Sequence, residues 1–298
     1  VESKLCCHMD RDGFWESGNV SKTGERVMQR SLSGKEWVVI LVVPALLFAA
    51  LPAFTSEPAT ALDSRKQQLT ARFSGARPLQ WGEKVSGVRT RLDTGEKVVA
   101  LTLDACGGAK GNGVDARLMA FLSQERIPAT LFVNARWIDA NPELFRRLAA
   151  DPLFEIANHG MWHKPASVSG RSVYGIKGTK DAGELVEEIE LNARKIEAIT
   201  GKRPKLYRSG TAYYDEVAVE IANALGHEVA GFSVLGDAGA TYSAAQVKGA
   251  LLKAGPGDIV ICHMNHPESG TGAGIMAAVP ELLHKGFRFV RMSDYPLK

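Results

Sequence analysis

The chain has 298 residues, 45% of them hydrophobic, with 36 basic against 33 acidic side chains and a formal net charge of +3. Such a length and composition suit one large domain with a sizeable buried core plus an additional segment, and they exclude a disordered chain. Near-balanced charge and an aromatic content of 7% leave no electrostatic case for a nucleic-acid partner and no surface for stacking bases.

Residues 1–27 show no clear periodicity and begin with Val, whereas Met28 opens a stretch with the layout of a whole signal peptide, so translation is expected to start at Met28. Arg26, Arg30 and Lys35 precede the apolar run from Glu36 to Phe54, which at about eighteen residues is long enough for export or membrane insertion. Ala59-Thr60-Ala61 offers a small-x-small cleavage site, and Pro44 and Pro52 disfavour a permanent spanning helix. Residues 28–61 are therefore expected to be a signal peptide or membrane anchor, leaving the rest secreted, periplasmic or anchored facing outside the cytoplasm. Residues 62–96 are polar and mixed and read as a linker merging into the domain edge, with Leu79 and Trp81 as the side chains that would pack on it.

From Lys97 onward short apolar runs alternate with helical patterns. The expected strands are Val98–Leu103, Ala129–Val133, Phe154–Ala157, Lys205–Tyr207, Glu228–Val234, Asp258–Cys262 and Phe287–Arg291. Asn141-Pro142-Glu143 starts a helix with Pro at its first position, Asp181 to Thr200 repeats apolar residues on one face and stops at Gly201, and further helices stop at Gly226 and Gly255. Strand followed by helix, repeated in this way, means a parallel sheet covered by helices, either open and doubly wound or closed as a barrel.

In both architectures working residues gather beyond the carboxyl ends of the strands. Standing there are Asp104, Asn134, His159 with His163, Arg208, Asp237, His263 and Asp294. A pair of histidines in "NHGMWH" is a weak signal alone, but on one rim with Asp, Arg and a third His it marks a catalytic site rather than a packed core. No Gly-x-Gly-x-x-Gly follows the first strand, and "CGGAKGNG" lacks the ending of a phosphate loop, so no nucleotide cofactor competes.

These residues resemble the polysaccharide deacetylase (NodB-homology) family. "VALTLDACGG" is similar to its first motif, T-F-D-D-G; "NHGMWH" to the second, H-[ST]-x-x-H; "LYRSGTAYYDE" to the Arg-containing third; "SVLGDAG" to the fourth; and "IVICHMNHP" to the fifth, L-x-x-H-D. The resemblance runs from Lys97 to Lys298. It implies an incomplete (β/α)7 barrel, a divalent metal (zinc, or else cobalt or nickel) and removal of acetyl groups from an N- or O-acetylated glycan such as peptidoglycan or another extracellular polysaccharide. By this resemblance Asp104 would be the general base, Arg208 its partner, His159 and His163 metal ligands, and His263 the general acid, with Asp237 orienting it. Backbone N–H groups around Thr211 to Tyr213 would hold the oxyanion, and Tyr213 and Tyr214 either stack on a sugar ring or pack as aromatics after a strand ordinarily do.

Two departures stand out. The family's second aspartate of motif one is Ala105, and the aspartate after the motif-five histidine is Met264. The metal site is then completed by the Cys106 thiolate, by Asp104 acting also as ligand, or by extra waters. Cys106 and Cys262 close the first and sixth expected strands on one rim, next to Asp104 and His263, and are read first as a disulfide, next as buried thiols, and last as a source of a metal ligand. His266 is a further candidate for metal or substrate contact, whereas His227 and His284 are expected outside the site. The long loop from His163 to Gly183, with Arg171, Lys177 and Lys180, is expected to shape the substrate groove. Two other functions stay open: hydrolysis of a different carbon–nitrogen bond such as a cyclic amide, and glycan binding without catalysis, which Ala105 and Met264 motivate.

Overall fold

The computed structural model describes residues 59–298; the expected start at Met28 and the apolar run Glu36–Phe54 lie outside the described residues. In chain order the strands are β1 Val98–Ala105, β2 Ala129–Val133, β3 Phe154–Asn158, the small hairpin β4 Ser172–Val173 and β5 Ile176–Lys177, then β6 Leu206–Tyr207, β7 Glu228–Val229, β8 Val234–Leu235, β9 Asp258–His263 and β10 Arg288–Val290. The helices are α1 Ala59–Arg72, α2 Ala116–Gln124, α3 Ala135–Ala140, α4 Pro142–Ala150, α5 Ala182–Thr200, α6 Glu216–Ala224, α7 Ala244–Leu251 and α8 Thr271–His284. Each expected helix begins where its polar cap stands: the side chains of Asp181, Asp215 and Ser243 accept backbone N–H bonds at the starts of α5, α6 and α7, and Gly201 ends α5 in the left-handed conformation.

All strands outside the β4–β5 hairpin join one parallel sheet in the order β7-β6-β3-β2-β1-β9-β8, with β10 against the first half of β1. The expected single strand Glu228–Val234 is divided, and the division makes the barrel. Its first part, β7, pairs with β6 at one end of the sheet, while its last part, β8, pairs with β9 at the other. One short stretch of chain, residues 230–233, therefore spans the seam, and the sheet is an incomplete barrel rather than an open doubly wound one. Arg89 lies along the same seam, bridging to Ala230.

Alternation along β1 separates two environments. Leu101, Leu103 and Ala105 face the helices in a core with Trp137, Phe145 and Val260, whereas Ala100 turns inward to a second core with Phe132, Ala157 and Ile259. Thr102 and Asp104 share the inward face and are buried polar residues. The barrel floor is thus apolar and its upper end charged. The same alternation on β9 sends Cys262 out to the helix side and His263 in.

The segment read as a linker is folded against the domain: α1 packs on α5, with Leu69 buried and Lys66 paired to Glu187. Trp81 packs beside Tyr213, with ring centroids 5.8 Å apart, but Leu79 is 89% exposed and is held instead through its N–H bond to Glu216. Among the described residues no helix is long and apolar enough to cross a membrane.

Trp137 is the largest fully buried side chain and donates its indole N–H to Gly113 O at 3.0 Å, tying α3 to the loop after β1. Trp137→Ala is expected to lower unfolding free energy by about 3–5 kcal/mol, read as a drop in the denaturant midpoint.

Candidate active site

Arg208, just beyond β6, is completely buried and spends its guanidinium on the barrel interior. Its Nη1 donates to Asp104 Oδ1 at 2.7 Å and to Thr102 Oγ1 at 2.9 Å, Nη2 to Gly231 O at 2.9 Å and Nε to Ala230 O at 3.2 Å, while the plane lies 4.0 Å from the Phe132 ring centre. A buried charge needs such pairing on every side. Asp104 is thereby held by one oxygen, and its other, Oδ2, faces His159 Nε2 at 3.8 Å.

His159 follows β3 and is oriented from behind: its Nδ1 is 3.0 Å from Arg208 O. A carbonyl only accepts, so Nδ1 carries the proton and Nε2 presents its lone pair. His163 adopts a left-handed backbone (φ 64°), and its Nε2 is buried with no hydrogen-bond partner among the described residues. The two rings meet edge to face with centroids 5.0 Å apart. Donor atoms of Cys106, His159 and His163 all lie within 4.8 Å of one another, and all three residues are buried. Sulfur and imidazole nitrogen, with one nitrogen orphaned and another aimed from behind, form a donor set that fits a divalent metal such as zinc.

The charges reinforce one another. Burial pushes the Cys106 thiol up, but the His163, His159 and His263 imidazoles outweigh it and hold the thiol well below its ordinary pKa. Burial lowers His163; for His159 burial is opposed by Asp104 and Cys106, and its pKa rises.

His263, at the end of β9, is in register with Asp104 on β1. Asp237 holds it twice, with Oδ1 2.9 Å from Nδ1 and Oδ2 accepting the backbone N–H at 2.7 Å, and Thr271 donates to Asp237 Oδ2 at 2.9 Å. Burial disfavours the imidazolium, but Asp237 overrides it, and the His263 pKa stands well above the ordinary histidine value.

The structure thus brings Asp104, Cys106, His159, His163, Arg208, Asp237 and His263 together, and it moves other expected residues away. Cys106 and Cys262 are free thiols rather than a disulfide, because Cys262 points into the outer core while Cys106 lies with the histidines. Tyr214 is buried: its hydroxyl accepts from Ser209 N–H and donates to Ala230 O, both at 3.2 Å, which leaves no face for a sugar. Tyr213 is half-buried between Trp81 and Tyr174. In the turn between them Ala212 N–H bonds to Ser209 O and Tyr214 N–H to Gly82 O, whereas among the described residues the N–H groups of Thr211 and Tyr213 have no partner.

Asn134 caps α3 and donates to His159 O and Gly160 O, so it clamps the histidine loop. Asp294 is paired with Arg291, which also reaches Pro152 O before β3, at the opposite end of the strands. His266 pairs with Glu268. His227 lies at the start of β7, buried, with its pKa pushed down to about 3 by burial and by Arg203 and Arg65. Ala105 and Met264 both face the outer core, where carboxylates would be costly.

Glu188 is a functional support that motif spacing does not reveal. Its buried carboxylate accepts the N–H groups of Trp162 at 2.9 Å and Lys164 at 3.0 Å, fixing the residues on both sides of His163. The readable signal was a charged residue on the apolar stripe of α5 beside Leu185 and Ile189.

Residues 91–230 match the family model described as polysaccharide deacetylase. The peptidoglycan-N-acetylglucosamine deacetylase of Bacillus cereus is 26% identical over 220 residues, 71% of this chain and 94% of that one. The peptidoglycan-N-acetylmuramic acid deacetylase PdaA of Bacillus subtilis is 23% identical over 210 residues, covering 68% and 72%. Among solved structures, Bacillus subtilis PdaA matches with a TM-score of 0.57 at 20% identity, over 79% of this chain and 88% of that one. A family 4 carbohydrate esterase pseudoenzyme of Bacillus anthracis matches with a TM-score of 0.58 at 21% identity, over 72% and 70%. The fold is that of the family 4 carbohydrate esterases. Residues 91–230, just under half of the chain, are thus similar to polysaccharide deacetylases.

Burial pushes Glu188 from the ordinary 4.5 up to about 7, although the Lys164 and Trp162 N–H bonds pull the other way. Between those values the native state keeps a proton that the unfolded chain has lost, so this group makes stability fall as pH rises from about 4.5 to about 7, by on the order of 3 kcal/mol. Glu188→Gln is expected to remove that part of the slope, measured as the wild-type minus variant unfolding free energy across this range.

Proposed function

We propose that the protein is an exported, metal-dependent hydrolase that removes acetyl groups from an N- or O-acetylated glycan of the cell envelope. The observation that carries this reading is the registered pair Asp104 and His263 on adjacent strands, beside the Cys106, His159 and His163 cluster. The relatives named as peptidoglycan deacetylases support a peptidoglycan-type substrate, and the basic residues before the apolar run Glu36–Phe54 support export.

His159 and His163 would hold a divalent ion, which supplies Lewis-acid polarisation of the acetyl carbonyl and of the attacking water. Asp104 Oδ2, the oxygen not taken by Arg208, accepts the proton that water loses as its oxygen bonds to the carbonyl carbon. The free N–H groups of Thr211 and Tyr213 donate to the carbonyl oxygen as it gains charge. Charged His263, steadied by Asp237, gives its proton to the departing nitrogen or oxygen as that bond breaks, leaving acetate and the free amine or hydroxyl. Glycan binding without catalysis rests on Ala105 and Met264, but both face the outer core, while the acid and base remain. Export weighs against a small cyclic amide as substrate.

Acetate release from acetylated peptidoglycan fragments and chitooligosaccharides tests the reading. Asp104→Asn is expected to lower kcat/KM by about 10²–10⁴ with glycan affinity little changed; binding with no acetate release by the wild-type protein at several metals and pH values would favour the binding module.

Asp237 keeps His263 protonated, and that acid is lost as pH rises through its raised pKa. Asp237→Asn is expected to bring the alkaline limb of the kcat/KM profile to lower pH, and an unmoved limb would exclude His263 as the acid.

A further inference from the structure

We infer that the Cys106 thiolate is the third protein ligand of the metal, giving a Cys-His-His site and leaving Asp104 off the ion as a dedicated base. The inference rests on the metal-dependent reading above and goes beyond it in assigning the donor that motif one lacks. The first argument is direction. Alternation turns Asp104 inward and Ala105 into the outer core, so the next inward side chain is that of Cys106. Immediately after it the chain reverses: Gly107 has φ 71°, and a Cβ there would lie 2.6 Å from Trp137 N. Arg136 Nη2 holds Cys106 O at 3.2 Å. The thiol is therefore delivered by a backbone that has little freedom to present anything else.

The second argument is the state of the partners. His159 Nε2, aimed by Arg208 O, lies 3.9 Å from Cys106 Sγ, and among the described residues the buried His163 Nε2 has no hydrogen-bond partner. A buried imidazole nitrogen without a hydrogen bond is costly unless something occupies its lone pair. The third argument concerns the competing carboxylate: Asp104 Oδ1 is fixed by the buried Arg208, Oδ2 is the oxygen the base role needs, and the donor group within 4.8 Å holds Cys106, His159 and His163 without Asp104. A thiolate with two imidazoles favours zinc, cobalt and cadmium over magnesium and manganese, so the site is selective for thiophilic ions.

The test is cobalt loading of the full chain, purified without a chelating tag, stripped with a chelator and reloaded with Co²⁺. Wild type is expected to show a near-ultraviolet thiolate-to-cobalt charge-transfer band, and a chain keeping Cys106 as its sole cysteine is expected to retain it. Cys106→Ser should lose the band. Cys106→Asp should lose it too while still binding cobalt, which guards against a variant that merely fails to fold, as does circular dichroism of each. Equal cobalt content and identical spectra in wild type and Cys106→Ser would overturn the thiolate ligand and leave the metal-dependent reading standing. Failure of wild type to bind cobalt, zinc or cadmium would overturn both. An acetyl adduct trapped on Cys106 during turnover would overturn the ligand role by making the residue a nucleophile.

Discussion

The buried pair of Arg208 and Asp104 is the constraint around which the rest of the barrel is arranged. A guanidinium with no exposure needs acceptors around it, and they come from two places: the inner face of β1, and the carbonyls of Ala230 and Gly231 in the seam. Breaking one partner of such a pair leaves an uncompensated buried charge, typically about 3–5 kcal/mol of destabilisation. The same contacts set one oxygen of Asp104 and turn the other toward the histidines. Folding and chemistry thus share one set of hydrogen bonds.

From that centre the site extends by backbone rather than by chance proximity. Arg208 O fixes the tautomer of His159, Asp104 and His263 face each other because β1 and β9 are parallel and in register, and Met264 N–H bonds to Asp104 O at 3.1 Å to hold that register at the rim. Supporting residues then fix the loops: Asn134 and Glu188 brace the turn that carries His159 and His163, while Thr271 braces Asp237. Electrostatic preorganisation of this kind is where most catalytic advantage resides.

Much of this was legible in the sequence, and the parts that were not have physical reasons. Caps and periodicity located α4 to α7, and two-sided burial made β1 and β9 read as continuous apolar runs. The strand-end positions of Asp104, His159, His163, Arg208 and His263 followed from the same pattern. Glu228–Val234 also reads as one apolar strand, because a run that serves two sheet edges in succession has the same composition as one that serves a single edge. Tyr214 and Cys262 were misplaced for a different reason. Position in a motif says that a residue is near the rim, but the face it presents depends on pleat and turn geometry, which a shift of one residue reverses. Leu79 failed because its segment is held by N–H bonds to Glu216 rather than by its side chain.

The seam has one more consequence. Residues 230–233 run from one end of the incomplete barrel to the other, and two of their carbonyls are also the anchors of Arg208. The stretch that joins the two ends of the sheet therefore also holds the tether of its central charge. A shift of that stretch would loosen the guanidinium, and through it the aim of Asp104. The continuity of the wall and the orientation of the carboxylate rest on the same two carbonyls.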